Sequence, residues 1–237
     1  MTQQLQTCLA ELAVANHICA HEGIIDAFDH MSSRHPFHSN RYFLSRCRPP
    51  ELIDVCDLIE FTLDGNPVNS ANVEMHSERA IHGEIYRARP DVMAVCHHHC
   101  SSILPFCITG ERMVPVYHLG ASIGPEVPFW DQRDEFGDTS LSVKSAREGA
   151  SLARALGQNA LVLMRHGATV VGSSLRELVF RTVYSCRNAE YQIKAMLVGR
   201  MSTLSPGEIE MAGSLTNQPG VDRAWEYWVK RLDSVST

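Results

Sequence analysis

The sequence lacks a long apolar run, which argues against a helix that spans a membrane. Crossing a bilayer takes about 18–20 consecutive apolar residues, and no stretch of the 237 residues approaches that length. The opening segment, MTQQLQTCLAELAVANH, also lacks the basic start and the apolar core of a signal peptide. We therefore expect a cytoplasmic protein with no membrane partner.

Positive charge is also scarce. The 21 Lys and Arg residues are outnumbered by 27 Asp and Glu residues, which gives a formal net charge of -6. No nucleic-acid partner is expected, because phosphate backbones require a basic surface. The glycine-rich motifs G-x-G-x-x-G after a strand and G-x-x-x-x-G-K-[S/T] are missing too, so nucleotide binding has no support.

Eight cysteines are present, but none forms a C-x-x-C pair. In a chain without an export signal, this pattern favours buried, reduced thiols. Cys96 and Cys100 flank a histidine run and are candidate metal ligands by position alone. Strand alternation turns Cys96 away from the histidines beside it, and the chain is expected to enter a helix by Cys100.

The length and the 44% hydrophobic content are sufficient for one substantial core. We expect a single domain over residues 1–237. Predicted strands alternate with helices and hairpin-like turns, which indicates an α/β protein. The expected architecture is a three-layer α/β/α sandwich around a mixed, mostly antiparallel sheet.

Several elements are predicted with defined bounds. An opening helix covers residues 4–22, and a helix capped by Ser77 ends before Pro90. Residues 52–68 are predicted as strand, turn and strand, and RMVPVYH at 112–118 as a strand. Residues 160–172 are predicted as two apolar runs that are separated at His166-Gly167. The aromatic residues near the carboxyl end, Trp225, Tyr227 and Trp228, are expected at a subunit contact or closing a neighbour's pocket.

The stretch MAVCHHHCSS contains three consecutive histidines behind an apolar run. Side chains alternate along a strand, so His97 and His99 face one way and His98 the other. His166, at the end of another apolar run, is a candidate third member. Three neutral imidazoles make a divalent-metal site with open positions for a substrate. The alternative is that these histidines pack or lie on the surface.

Glu78 precedes His97 by 19 residues and is predicted in the first turn of the helix leading to the histidine strand. If helix and strand pack antiparallel, its carboxylate returns beside the metal, as a ligand or as a general acid/base. The alternative is a solvated glutamate that the helix dipole favours. His82, one turn further on the same face, is expected to bond Glu78 or to pack.

The motif series resembles the class II aldolase and adducin-head family from the opening helix to Gly199. The resemblance rests on H-S-E-R-x-x-H-x-x-I-Y-x-x-R-P-D-V-x-A-V-x-H-x-H from residue 76, P-V-Y-H from 115 and L-V-L-M-R-H-G from 161. It implies an α/β/α sandwich and a divalent ion, Mn²⁺ or Zn²⁺ with Fe²⁺ or Co²⁺ as alternatives, held by His97, His99 and His166. It also implies Glu78 as acid/base and a homotetramer or larger homo-oligomer with active sites at subunit contacts.

The sequence departs from the sugar-phosphate aldolases of that family where the phosphate binds. Their G-N-x-S turn and T-P-S-G-type loop are replaced here by D-H-M-S-S-R and F-L-S-R. His30 stands in place of the asparagine, and Arg46 in place of small residues. An arginine fork suits a carboxylate, although Arg46 can equally form a surface salt bridge. The aldolases' His-Tyr pair is reversed as Tyr117-His118, with Tyr117 expected in the core and His118 facing the site.

These departures are similar to the branch of metal-dependent decarboxylases that act on hydroxylated aromatic or pyridine dicarboxylates. The resemblance implies a carbon-carbon lyase in which Arg46, with Ser45, His30 or His118, orients a second carboxylate of a small aromatic substrate. The first alternative is an aldolase that cleaves a hydroxy-aldehyde or a sugar phosphate. An iron oxygenase on the same histidines is another alternative, and a non-catalytic interaction module is disfavoured because the histidines are present.

Overall fold

A seven-stranded sheet lies at the centre of the computed structural model, which describes residues 2–69, 72–213 and 218–233. The strands are β1 (His30–Arg34), β2 (Arg41–Ser45), β3 (Leu58–Thr62), β4 (Ala94–His98), β5 (Phe129–Trp130), β6 (Leu161–Met164) and β7 (Gly167–Gly172). Their order across the sheet is β3-β2-β1-β4-β7-β6-β5. Neighbouring strands are antiparallel except for the parallel pair β5 and β6. The predicted mixed, mostly antiparallel sheet is confirmed.

Helices cover both faces of this sheet and complete the predicted three layers. They are α1 (Gln3–His21), α2 (Arg79–Ala88), α3 (Leu104–Thr109), α4 (Arg133–Phe136), α5 (Ala146–Leu156), α6 (Leu175–Val198), α7 (Pro206–Gly213) and α8 (Gln218–Asp233). Val170 packs with α1, α6 and α8 in one buried core, whereas its neighbour Val171 packs with α2 and α5 in the other. Within the described residues, none of the helices is long and apolar enough to cross a membrane.

The segment 52–68 forms one strand instead of the two that were predicted. Its first part closes a 3₁₀ turn, Val55–Asp57, in which the Asp57 carboxylate accepts the N–H of Asp54 at 2.9 Å. After β3 the chain turns back but makes only an isolated bridge between Phe61 and Pro67. The N–H of Thr62 donates to the Asn66 carbonyl at 2.9 Å and the N–H of Val68 donates to the Glu60 carbonyl at 2.8 Å, so Pro67 lies at a position where no N–H is needed. Within the described residues the pairing ends at this bridge, and the predicted second strand does not form.

The segment 112–118 is not a strand either, because side chains of α6 pair with its backbone. Asn188 accepts the N–H of Val116 at 2.9 Å and donates to the carbonyl of Val114 at 2.8 Å. Gln192 accepts the N–H of Val114 at 2.9 Å. Buried backbone groups need hydrogen-bond partners, and here two helix amides provide what a neighbouring strand would have provided.

The aromatic residues near the carboxyl end divide between the core and the surface. Trp225 and Trp228 are 7% and 2% exposed and pack in the core that α1 and α6 form. Tyr227 is exposed. The expectation that all three lie at a subunit contact is therefore wrong for the two tryptophans, which the chain's own core buries.

The cysteines are free thiols. Most are buried, but Cys47 and Cys56 are exposed, so the expectation of burial is wrong for these two. Cys96 lies in the core on the α1 and α6 side, opposite to the helix layer that contains α2, as strand alternation predicted.

Candidate active site

Four side chains meet at one end of the central strands. Glu78, His97, His99 and His166 each offer one potential ligand atom, and these atoms all lie within 4.8 Å of one another. The ring centroids of His97 and His99 are 4.8 Å apart, and His166 lies 5.1 and 5.4 Å from them. The structure therefore brings together the three histidines and the glutamate that the sequence pattern singled out. We call them the Glu-His cluster.

Strand β4 presents two of these histidines to the same side. Val95 packs in the core beneath α2 and α5, and His97, two residues later, faces that side too. His99 follows the end of the strand, and its Nε2 atom lies 3.2 Å from Nε2 of His97. His98 points the other way, as expected from strand alternation.

The hairpin between β6 and β7 supplies the third histidine. His166 occupies its two-residue turn, so the predicted break at His166-Gly167 is confirmed. A Cβ atom on Gly167 would lie 2.5 Å from the carbonyl oxygen of His98. Only glycine allows the hairpin to approach β4 this closely, and this approach places His166 beside the other two rings.

Glu78 lies immediately before α2. The helix begins at Arg79 without a side-chain cap, and Glu78 itself occupies the cap position. The predicted cap at Ser77 is therefore one residue early, and Glu78 precedes the first turn. One Glu78 oxygen accepts the N–H of Val143 at 2.8 Å and lies 3.3 Å from Nε2 of His166. The other lies 3.7 Å from Nε2 of His97. The carboxylate is thus held against the cluster, not solvated.

Charge in the cluster is set by burial and by these neighbours. Burial alone would raise the pKa of Glu78, but His97, His166 and the Val143 N–H outweigh it and lower the pKa to about 2. Burial lowers the pKa of His97 well below its usual range. At neutral pH the carboxylate is therefore ionised and His97 is neutral, which is the form of imidazole that binds a metal.

His97 and His99 each make a hydrogen bond through Nδ1, which leaves Nε2 of each ring facing the cluster. Thr169 donates its hydroxyl to Met164, so its oxygen accepts from Nδ1 of His97 at 3.2 Å. Asp29 pairs with Nδ1 of His99. A carboxylate only accepts, so Nδ1 of His99 carries its proton.

These tautomers fit a bound cation. Burial would lower the pKa of His99, but Asp29 outweighs it and raises the pKa. The facing Nε2 atoms of His97 and His99 therefore share a proton or a metal ion. Nε2 of His166 is buried and faces a Glu78 oxygen at 3.3 Å. Three imidazole nitrogens beside a carboxylate are a donor set that Zn²⁺, Mn²⁺ and Fe²⁺ all accept.

Comparisons with known proteins agree with this geometry. The family described as "Class II Aldolase and Adducin N-terminal domain" matches residues 10–193. The chain belongs to this class II aldolase family. It is 34% identical to "Decarboxylase tropJ" of Talaromyces stipitatus, with 92% of this chain and 91% of the relative covered. It is 26% identical to "3,4-dihydroxyphthalate decarboxylase" of Arthrobacter keyseri, with coverage of 94% and 93%.

Solved structures show the same fold. An aldolase II superfamily protein from Pseudomonas syringae matches 99% of this chain and 95% of its own at a TM-score of 0.83 and 19% identity. The predicted α/β/α class II aldolase fold is confirmed. With the family and its decarboxylase relatives, the chain is an enzyme of the carbon-carbon lyase class.

Of the predicted substrate residues, His30 lies next to the Glu-His cluster of this class II aldolase domain, and Ser45 is connected to it through His76. His30 pairs in the sheet with His97, and their ring centroids are 5.3 Å apart. Ser45 lies 3.2 Å from Nε2 of His76, whose ring centroid is 4.7 Å from that of His30. His30, His76 and Ser45 thus form a continuous polar wall that leads away from the cluster.

Arg46 follows Ser45 and forms the salt bridge that was its alternative interpretation. Its Nε donates to the buried carboxylate of Asp57 at 2.7 Å, and Arg48 donates to the other oxygen at the same distance. Two guanidinium groups therefore share the single carboxylate of Asp57. Arg46 is 39% exposed.

His118 is not brought to the Glu-His cluster of its own chain. It is exposed and lines a cleft of about 630 Å³ with Tyr184, Arg223 and Tyr227. The neighbouring Tyr117 packs against Tyr191 at 5.1 Å, and its hydroxyl is buried. The residue as a whole is only half-buried, so the expectation of a core position is met only in part.

The sequence reasoning missed three residues of the site. Asp29 and Thr169 orient the rings of His99 and His97, and His76 contacts His30. Asp29 and His76 lie within the motifs that carried the family resemblance, so the signal was present but not assigned. Thr169 is recognisable only from its place opposite His97 in the β4 and β7 register.

His82 was expected to bond Glu78 or to pack, and it packs: its side chain is fully buried and makes its hydrogen bonds to residues other than Glu78. Its Nε2 lies 2.7 Å from Nδ1 of His30, and its Nδ1 lies 2.6 Å from the hydroxyl of Ser32.

Proposed function

We propose that this class II aldolase-fold enzyme is a divalent-metal-dependent, non-oxidative decarboxylase of a hydroxylated aromatic or pyridine dicarboxylate. The observation that carries the proposal is the Glu-His cluster and the polar side chains of His30, His76 and Ser45 that lead away from it. The relatives named as decarboxylases, one of them a dihydroxyphthalate decarboxylase, support the reaction class.

His97, His99 and His166 would hold the ion, with Mn²⁺ or Zn²⁺ as the expected metals and Fe²⁺ or Co²⁺ as alternatives. When bound, a divalent cation supplies positive charge that stabilises electron density on a substrate oxygen while the carbon-carbon bond breaks. Asp29 and Thr169 hold the rings of His99 and His97 in the tautomer that exposes Nε2.

Glu78 would move the proton. Because it is ionised at neutral pH, it first accepts the proton of the substrate's ring hydroxyl. It then donates this proton to the ring carbon that carries the departing carboxylate. The bond between these two carbons breaks, its electron pair restores the aromatic ring, and carbon dioxide leaves. Glu78 is again a carboxylate, and the product's hydroxyl oxygen regains a proton from water.

The polar wall would orient the second carboxylate of the substrate. Ser45 and His30 offer hydrogen-bond groups, and Arg46 offers the Nη atoms that its bond to Asp57 leaves available. A guanidinium binds a carboxylate through two parallel hydrogen bonds. This arrangement favours a diacid over a monoacid.

His118 would contact a substrate only across a subunit contact, because it lies apart from the cluster of its own chain. Its role in substrate binding and the homotetramer that would allow it stay predictions. So does the cytoplasmic location.

The experiment is a screen for carbon dioxide release from hydroxylated benzene and pyridine dicarboxylates, with 3,4-dihydroxyphthalate included. We expect metal-dependent release from at least one diacid and weaker release from the corresponding monoacid. Cleavage of hydroxy-aldehydes or sugar phosphates without carbon dioxide release would support the aldolase alternative. Activity that is lost without oxygen would indicate an oxygenase.

A further inference from the structure

A chain of buried hydrogen bonds leads from the Glu-His cluster to Tyr86. Nδ1 of His30 faces Nε2 of His82 at 2.7 Å, and Nδ1 of His82 faces Ser32 Oγ at 2.6 Å. Ser32 Oγ lies 2.8 Å from the Tyr86 hydroxyl. The four residues are at most 2% exposed, so water does not compete for their hydrogen bonds. The reaction proposed above gives no role to His82, Ser32 or Tyr86.

Counting protons fixes the direction of this chain. Burial lowers the pKa of His82 to about 3, so its ring carries a single N–H at neutral pH and donates on one side only. In one direction His30 donates to His82, His82 donates to Ser32, and Ser32 donates to Tyr86. The Tyr86 hydroxyl then has to donate to a further acceptor. Its hydroxyl has no hydrogen-bond partner besides Ser32 among the described residues. This direction therefore leaves a buried O–H unpaired, which is unfavourable.

The opposite direction pairs every proton. Tyr86 donates to Ser32, Ser32 donates to Nδ1 of His82, and Nε2–H of His82 donates to Nδ1 of His30. Because Nδ1 of His30 then accepts a hydrogen bond, the proton of the His30 ring is on Nε2. That nitrogen makes no hydrogen bond within the described residues, and its ring contacts His97 and His76. The N–H is left available beside the Glu-His cluster.

We propose that His82 is a positioning residue which, with Ser32 and Tyr86, holds His30 as the Nε2–H tautomer, so that His30 is a neutral hydrogen-bond donor to a substrate carboxylate. The other tautomer would present a lone pair to the carboxylate, and the two would repel each other. The inference rests on the proposed function only for the identity of the acceptor. The tautomer itself follows from the hydrogen bonds of the protein alone.

The tautomer is measurable without substrate. In ¹⁵N-histidine-labelled full-length protein, long-range ¹H–¹⁵N correlation spectra distinguish Nδ1–H from Nε2–H rings, and the His30→Gln and His82→Gln variants assign the signals. We expect both rings to be neutral and protonated at Nε2 at pH 7.5. A His30 ring protonated at Nδ1 would overturn the proposal, whatever reaction the enzyme catalyses.

Variants at position 82 test the consequence for binding. His82→Leu removes the donor to His30, whereas the amide of His82→Gln can still donate. Tyr42→Phe is the matched control, because it removes a buried hydroxyl that donates to the Arg79 carbonyl and takes no part in the hydrogen bonds between His30, His82, Ser32 and Tyr86. We expect His82→Leu to weaken binding of 3,4-dihydroxyphthalate about tenfold, a loss typical of one hydrogen bond to a charged group. Binding of 2,3-dihydroxybenzoate, which lacks the second carboxylate, should change less than twofold.

The outcomes separate the two proposals. Equal losses for the diacid and the monoacid, or a loss in Tyr42→Phe as large as in His82→Leu, would overturn the positioning role of His82. Partial recovery in His82→Gln supports it. If the wild-type protein releases no carbon dioxide from any diacid, the proposed function fails, and the tautomer spectra alone then decide the inference.

Discussion

Glu78→Gln is expected to remove most of the decarboxylase activity and to leave the fold intact. Glutamine keeps a carbonyl oxygen that can accept the Val143 N–H, now at 2.8 Å from Glu78. What the substitution removes is the group that accepts and returns the proton. General acid-base catalysis by one positioned side chain contributes about 10²–10⁴-fold in rate, so we expect kcat to fall by a factor in that range.

The assay is the initial rate of carbon dioxide release at saturating diacid. Glu84→Gln is the matched control, because this glutamate lies on α2 and pairs with Arg87 at 3.4 Å outside the Glu-His cluster. The control should retain at least half of the wild-type rate. A Glu78→Gln enzyme that decarboxylates as fast as the wild type would refute the assignment of Glu78 as the proton carrier.

Three further predictions concern metal binding, specificity and stability. Asp29→Asn loosens the ring of His99 and should weaken metal binding about 10–100-fold in a chelator titration; an unchanged affinity would contradict the orienting role. Arg46→Ala should raise KM for the diacid about tenfold, and more than Arg48→Ala does, whereas equal effects would remove Arg46 from the site. Burial lowers the pKa of His82 to about 3, so below about pH 6.5 the unfolded chain binds a proton that the folded chain does not. As the pH is lowered below this value, the free energy of unfolding should therefore decrease in both proteins, and the decrease per pH unit should be about 1 kcal/mol larger in the wild type than in His82→Leu. Urea unfolding between pH 7 and 5 measures this, and equal slopes would exclude His82 as its source.

Local pattern was sufficient for part of the site. Alternation along β4 placed His97 and His99 on one face, because that rule depends only on strand geometry. The position of His166 did not follow from spacing. The family resemblance implied His166 as a ligand, and the structure shows that its position depends on the approach of Gly167 to β4.

Other features depend on partners that are distant in the sequence. Nothing near 112–118 indicates that Asn188 and Gln192 would pair with that backbone and replace a strand. Arg46 finds Asp57 eleven residues later through a 3₁₀ turn that was expected to be a strand. The contact of His82 with His30 joins residues 52 positions apart, and helical periodicity could suggest only the nearer Glu78.

The metal content of the purified protein tests the central claim most directly. Inductively coupled plasma mass spectrometry on untagged protein, prepared without chelators, gives the ratio of divalent metal to subunit. We predict about one ion per subunit in the wild type and loss of that ion in His97→Ala and His166→Ala, with Glu84→Gln unchanged. Wild-type protein that carries no divalent metal and binds none on addition of Mn²⁺ or Zn²⁺ would contradict the account.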